Sequence, residues 1–294
     1  MAIPYDATYT EHNYGFLHMR ITTKNKPRTH GRAQSPARMG QAIRLLVMEM
    51  SARAKCGETG SSLCVSDILA VLYFRILRIN PKKPNNPSRD RFILSKGHAA
   101  AGLYAALSLR GFFPKEVLRG HRINGGRLHA HPSKGAIPGI EVSTGSLGHG
   151  LSIASGMAEA LKGTESKVYV LLGNGECDEG SIWEAARYIG RTALRNIIAI
   201  VDDNKVQGYP LARQKRTLNL AKQWSAFGWK VLRVQGHDCE ALERALREAG
   251  RNGPAVVIAD TVAGKGVPEI EHTQRAHYYV PDNAAVLKFR NKKI

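Results

Sequence analysis

Residues 36 to 54, PARMGQAIRLLVMEMSARA, carry Ile43, Leu46, Val47 and Met50 at helical spacing behind Pro36, which suits a first helical turn. A second helix is predicted over roughly 65 to 77. It must stop before Asn80 and Pro81, because in PKKPNNPSRD each proline removes an amide donor and biases its predecessor away from helix. RFIL at 91 to 94 reads as a short strand, and Ser95-Lys96-Gly97-His98 then turns directly into the Ala-rich helix AAAGLYAALSLRGFF. From 121 to 140 the periodicity gives way to a Gly-, His- and Pro-rich segment, a long loop of the kind retained for binding. The pattern resumes with a Gly-rich turn, STGSLGHG, a helix from about 151 to 161, a strand at 168 to 172, a helix at 180 to 194 and a strand at 197 to 201. WKVLRV (229 to 234) and AVVIAD (255 to 260) add two strands that flank a helix at about 239 to 249.

At least five strands thus alternate with helices, as in parallel β/α units. The fold class expected is α/β, a doubly wound, mostly parallel sheet with helices on both faces and a ligand crevice at the strand carboxyl ends. With 294 residues, 43% of them hydrophobic, the chain can bury a sizeable core. No repeat of fixed period and no long linker divides it, so one domain is expected over 36 to 281, between a basic arm (1 to 35) and a basic tail (282 to 294).

Charge adds a rival function. The net charge is +19, and Arg20, Lys24, Lys26, Arg28, Arg32, Arg38 and Arg44 occur with no acid between Glu11 and Glu49. Lys288, Arg290, Lys292 and Lys293 repeat this at the other end. Such a field attracts polyanions, which raises nucleic-acid binding. No zinc finger, helix-turn-helix or aromatic-interleaved RNA motif accompanies it, so a solvated basic tail or a surface facing an acidic partner is preferred. Cys56, Cys64, Cys177 and Cys239 show no C-x-x-C spacing, which argues against a zinc site and a disulfide framework. No run approaches the roughly twenty apolar residues of a membrane span, and the first residues lack a basic head followed by an apolar core. A cytoplasmic protein with no membrane contact is expected.

The candidate chemistry lies in two turns. Gly173-Asn174-Gly175 follows an apolar strand, and its glycines let the backbone approach a phosphate while the helix from about Gly180 points its N-terminus at the same place. Asp202-Asp203-Asn204-Lys205 ends the next strand, which would make Asn174 and Asn204 neighbours. Mg²⁺ takes about six oxygen ligands near 2.0 to 2.1 Å, and two side-chain oxygens, a carbonyl, phosphate oxygens and water would supply them. Ordinary turn chemistry explains either motif alone; their joint placement favours a metal-diphosphate site.

The pattern of a strand, G-D-G, about thirty residues and N at the next strand end is that of thiamine-diphosphate enzymes. The chain resembles the transketolase family from about Gln41 to Pro281, and more narrowly the N-terminal subunit of split transketolases. RDRFILSKGHAAAGLYAAL, GIEVSTGSLGHGLSIASGMAEALK, GNGECDEGSIWEAA and TVAGKGV appear in the family's order. The resemblance implies metal ligation by Asn174 and Asn204 side chains and the Val206 carbonyl, with Mg²⁺ (or Ca²⁺ or Mn²⁺) as the ion. It implies diphosphate contacts from His98 and the Gly175 backbone, and cofactor contacts from Gly145, Leu147, Gly173, Glu176 and Asn204. His131 would bond the C1 hydroxyl of a ketose donor, with His129 its close competitor. His277 matches a late histidine near the cofactor, and Glu179 an acid that links active sites across a dimer interface, although dipole complementarity at a helix start explains Glu179 equally.

Two positions depart from the family. Its metal-binding Asp is Asn174, which keeps an oxygen ligand and loses a charge, so weaker retention of Mg²⁺ and cofactor is expected. A substrate-side histidine is Glu58, which as an acid or base would favour an unusual sugar or acyl acceptor and repel a phosphorylated or carboxylated one. The resemblance further implies a separate C-terminal transketolase subunit that supplies the pyrimidine-activating glutamate, in a heterotetramer with two copies of each chain. The function expected is transfer of a two-carbon ketol unit from a ketose to an aldehyde. The alternatives are a catalytically silent regulatory homologue and one subunit of an E1-type 2-oxo-acid dehydrogenase or decarboxylase.

Overall fold

A computed structural model of the chain describes residues 35–208, 219–251 and 253–291. The basic arm expected over 1–35, Ser35 apart, lies outside them, as do Lys292 and Lys293. Five strands, β1 (Arg91–Leu94), β2 (Val168–Gly173), β3 (Ile197–Asp203), β4 (Lys230–Gln235) and β5 (Ala255–Asp260), form one sheet in the order β1-β2-β3-β5-β4. Every pairing is parallel, so all five carboxyl ends share one edge. The helices are α1 (Pro36–Ala54), α2 (Thr59–Cys64), α3 (Ser66–Val71), α4 (Ala100–Arg110), α5 (His149–Ala160), α6 (Gly180–Thr192), α7 (Leu220–Ala226), α8 (Cys239–Ala249), α9 (Arg275–Tyr278) and α10 (Asn283–Asn291).

The apolar strands have two faces to fill. Tyr169, Leu171, Ile198, Ile200 and Val257 pack into a core with side chains of α1, α3, α4 and α8, such as Ile43, Ile68, Leu103 and Leu246. Their neighbours Val170, Leu172, Ala199, Val201 and Val256 pack with α5, α6 and α7, through Leu151, Ile182 and Trp224. Because adjacent strand residues point to opposite faces and both faces are covered, no polar alternation survives in the sequence. After β3 the chain passes beyond β5 to form β4, and α8 then brings it back to β5 on the other face.

Three expectations change. The helix predicted over 65 to 77 is α3 followed by a π-turn, Leu72–Ile76, and α2 precedes it unpredicted. All six residues of α2 are buried, so it has no polar face and leaves no amphipathic signature. The stretch read as a basic tail contains α10, whose Val286 and Phe289 enter the core while Arg290 bonds Glu49 at 2.8 Å. Arg44, counted in the basic run, is buried: its Nη1 donates to Asp67 Oδ1 at 3.0 Å and its Nε to the Leu63 carbonyl at 3.2 Å. His237 completes that cluster. Its Nε2 accepts from the Val262 amide at 2.9 Å, so Nδ1 carries the proton and donates to Asp67 Oδ2 at 2.8 Å.

Among the described residues no helix is long and apolar enough to cross a membrane, and the four cysteines are free thiols.

Trp224 is fully buried against Trp183 and Trp229, with ring centroids 5.4 and 4.8 Å away. Trp224→Ala is therefore expected to lower stability by about 3–5 kcal/mol in urea unfolding. Its Nε1 has no hydrogen-bond partner, so Trp224→Phe should cost less than half of that.

Candidate functional site

The carboxyl edge of the sheet gathers three turns. The register pairs Gly173 with Asp202, so Asn174, one residue on, sits across from the end of β3, and its amide donates to the Asp202 carbonyl at 3.0 Å. Asn174 therefore lies across from Asp203, and Asn204 follows one residue further along the adjacent strand end. Both asparagines are buried. Asn204 Oδ1 accepts from the Val206 amide at 2.9 Å, a local turn that fixes the orientation of the side chain.

Asp202, to which the sequence assigned no role, is the hub. Its Oδ2 takes the Lys96 ammonium from the end of β1, Asn204 Nδ2 at 2.9 Å and the Cys64 thiol of α2 at 3.1 Å, while Oδ1 accepts from Thr261 after β5. Asp202 is fully buried and Lys96 nearly so; each is tolerable because the other is there. Burial is the largest single influence on the Lys96 pKa and lowers it, but Asp202 together with the other acidic neighbours turns the net shift upward, so the ammonium stays charged. Burial, then the charge of Asp202, pushes the Cys64 pKa up to about 12, which keeps a thiol that donates.

The side chain of Glu176, a residue expected to contact the cofactor, is engaged within the protein. It accepts from Ser95 Oγ and from the amides of Gly148 and Gly173, both at 3.0 Å. One carboxylate therefore ties the ends of β1 and β2 to the turn that opens α5. Burial raises its pKa, opposed by those donors and by Lys96.

The histidines line the next part of the crevice. The His98 and His277 rings are 5.7 Å apart. Burial pushes the His98 pKa well below its ordinary value, with Lys96, His277 and His131 adding to the shift; burial also lowers His277. Both are neutral at pH 7, and each ring then offers one donor and one acceptor. Gly145, at φ +147°, is where the backbone must come close: a Cβ there would sit 3.0 Å from the His131 ring. A Cβ on Gly97 would meet the Gly145 amide at 2.9 Å. Between the two candidates in the loop, His131 is half-buried against Gly145 and His129 is exposed, while the carbonyls of both accept from Tyr104 Oη at 3.1 and 3.0 Å.

Leu147 is half-buried just before α5, and Gly175 lies against Gln207, whose Nε2 donates to Asp178 at 2.8 Å. Glu179 is exposed at the N-cap of α6 and makes no side-chain cap bond. Glu58 leads into α2 with φ +66° and has Arg122 Nη2 3.0 Å from its Oε2.

Among the described residues no three His, Cys, Asp or Glu side chains cluster as metal ligands. The candidate donors are instead amide and carbonyl oxygens, which suit a hard cation. Together with glycines where a Cβ would obstruct the turns, this donor set fits a metal-diphosphate group. The fold and site define a diphosphate-cofactor-binding α/β domain.

Residues 35–292 match the family model "Transketolase, thiamine diphosphate binding domain". The chain is 39% identical over 240 residues to 6-deoxy-6-sulfo-D-fructose transketolase subunit SqwG of Clostridium sp. (strain MSTE9), covering 80% of this chain and 87% of that protein. It is 41% identical over 246 residues to an apulose-4-phosphate transketolase subunit of Actinobacillus succinogenes, covering 82% and 89%. The solved transketolase of Leishmania mexicana superposes with a TM-score of 0.81 at 29% identity, over 88% of this chain and 42% of that one. That of Campylobacter jejuni gives 0.78 at 30% identity, over 86% and 45%. The chain spans less than half of those solved transketolases and most of the subunit relatives. It belongs to the transketolase family and carries the family's thiamine-diphosphate-binding domain.

Asp202→Asn strands the Lys96 ammonium and is expected to cost about 3–5 kcal/mol in urea unfolding, whereas the pair Lys96→Met with Asp202→Asn should recover much of that loss. A double change as damaging as the sum of the single ones would contradict the hub. His121, buried against Tyr104, gives a pH prediction. Burial, then Arg122, lowers its pKa from 6.5 to about 4. Its contribution is complete above pH 6.5 and is lost as pH falls toward 4, by up to roughly 3 kcal/mol, because the unfolded chain takes the proton first. His121→Asn should flatten that part of the stability profile.

Proposed function

We propose that this chain is the cofactor-holding N-terminal subunit of a two-chain transketolase-like enzyme, which moves a two-carbon ketol unit from a ketose donor to an aldehyde acceptor. The observation that carries this reading is the buried pair Asn174 and Asn204 at adjacent strand ends of a transketolase domain. Asn174, Asn204 and the Val206 carbonyl would hold Mg²⁺, or Ca²⁺ or Mn²⁺ in its place. The backbone of Gly173 and Gly175 and the ring of His98 would hold the diphosphate, and Gly145 with Leu147 the rest of the cofactor. Thiamine diphosphate, when bound, supplies the electron sink for carbon–carbon cleavage.

The chain's own groups then position and exchange protons. Neutral His98 and His277 can each accept from one hydroxyl and donate to another. His131, held against Gly145, serves the C1 hydroxyl of the ketose, ahead of the exposed His129. Glu58 stands on the substrate side, Glu176 and Asp202 keep the turns in place, and Glu179 is left exposed for a contact across a dimer interface. The domain doing this spans 36 to 281, with α10 packed onto it.

The relatives named as transketolase subunits support a partner. We assign to it the pyrimidine-activating glutamate, in a cytoplasmic heterotetramer with two copies of each chain. The same names favour ketol transfer over E1-type 2-oxo-acid chemistry. Asn174 and Glu58 motivate the one other reading, a catalytically silent regulator.

Calorimetric titration of thiamine diphosphate into this chain with its C-terminal partner should show saturable, Mg²⁺-dependent binding. Asn174→Asp, which adds one negative charge to the donor set, should tighten Mg²⁺ binding by about tenfold. A folded complex that binds no cofactor refutes the enzyme reading. One that binds cofactor yet turns over no ketose or 2-oxo acid supports the silent regulator.

A further inference from the structure

The outward stripe of α6 is its own electrostatic complement. Ile182, Ala185, Ala186 and Ile189 pack toward the sheet, which leaves Gly180, Glu184, Arg187 and Arg191 along the outside at helical spacing. The charges are sorted, with Glu179 at the N-cap and Glu184 toward the start, and Arg187 and Arg191 toward the end. None of the four forms an ion pair among the described residues. Dipole complementarity accounts for charge in the first and last turns only, and Glu184 and Arg187 lie between them. Aromatic rings flank the stripe: Tyr188, 48% exposed, on one side, and Trp183 stacked on Phe227 at 5.9 Å on the other. Together these residues line an open groove of about 860 Å³. Trp183 is held in it by its Nε1, which donates to the Cys177 carbonyl at 2.8 Å. Accessible Trp, Tyr and Arg on one fixed surface are the composition of a protein contact.

We propose that this face pairs with the same face of a second copy of the chain, the two α6 helices running antiparallel about a two-fold axis near Arg187. The inference rests on the two-copy arrangement of the proposed function and gives it a contact. Glu184 of each copy then meets Arg187 and Arg191 of the other, twice over by symmetry. A parallel pairing would set Glu184 on Glu184 and Arg187 on Arg187, like on like. A two-fold contact needs a patch that complements itself, and charges sorted along one helix supply it. The rings on each flank keep water from the ion pairs. α6 also starts at the candidate site, where Ser181 Oγ donates to the Gly148 carbonyl at 3.0 Å in the turn that follows Gly145 and Leu147. The two crevices therefore lie at opposite ends of the helix pair, about 20 Å apart along it for 13 residues.

The test is sedimentation of the full chain over a range of concentrations, with thermal unfolding to confirm that each variant is folded. Wild type should dimerise, more weakly at high salt. Glu184→Lys, and Arg187→Glu with Arg191→Glu, should each raise the dimer dissociation constant by about thirtyfold or more, and all three changes together should bring it back to within about threefold of wild type. Tyr188→Ala should weaken the dimer by about tenfold. A wild-type chain that stays monomeric, or charge reversals that leave the dimer as it was, overturn the inference. So does a triple variant as weak as its parents, because the face then meets something other than itself, the C-terminal partner above all. Calorimetry on the same chains with that partner, thiamine diphosphate and Mg²⁺ separates the contact from the enzyme reading. Cofactor binding without the α6 pairing keeps the enzyme and removes the contact, and the α6 pairing without cofactor binding does the reverse.

Discussion

The buried ion pair of Lys96 with Asp202 is the constraint on which the carboxyl edge of the sheet depends. Neither charge could sit there alone, since an unpaired ion in the interior costs several kcal/mol. With both present, the carboxylate has capacity left for Cys64, Asn204 and Thr261, and so binds β1, α2, β3 and β5 at one point. Glu176 does the same for β1, β2 and the turn before α5. Two carboxylates that need not touch substrate thus set the positions of the groups around them.

That scaffold explains how a site assembled from distant turns is held in place. The amide of Asn204 is oriented from both sides, by Asp202 on its nitrogen and by the Val206 amide on its oxygen. The Gly97 and Gly145 backbones touch where any side chain would push them apart, which brings His98 and His131 to the same crevice. Burial keeps His98 and His277 uncharged, so each ring brings one donor and one acceptor to the crevice without a positive charge. Asn174 and Glu58, expected from the sequence to depart from the family pattern, sit on this frame. In the latter case Arg122 offsets the change in charge, and an acid that would by itself repel anions becomes half of a neutral pair.

The basic character of the chain divides differently from what its sequence suggests. Arg44 lies in the core on Asp67, and Arg290 and Lys288 sit on a packed helix, each with an acid. Part of the charge that invites a nucleic-acid reading is therefore used inside the fold.

The sequence by itself determined the strands, their parallel arrangement and the placing of the two asparagine turns at adjacent strand ends, because apolar runs ending in glycine and asparagine turns have few other solutions in an α/β chain. It also carried the family, through motifs spread along most of its length. It could not yield α2, whose residues are buried all round, nor α10, whose two core contacts are hidden among cations. Nor could it yield the partners of Asp202, Glu176 and Glu58. Lys96 is 106 positions from Asp202, Ser95 is 81 from Glu176, and Arg122 answers Glu58 from the far side of a loop. Local patterns report which face of an element is buried. Which charge meets which is settled only when the sheet is closed, since ion pairs depend on distance in space and leave no period in the chain.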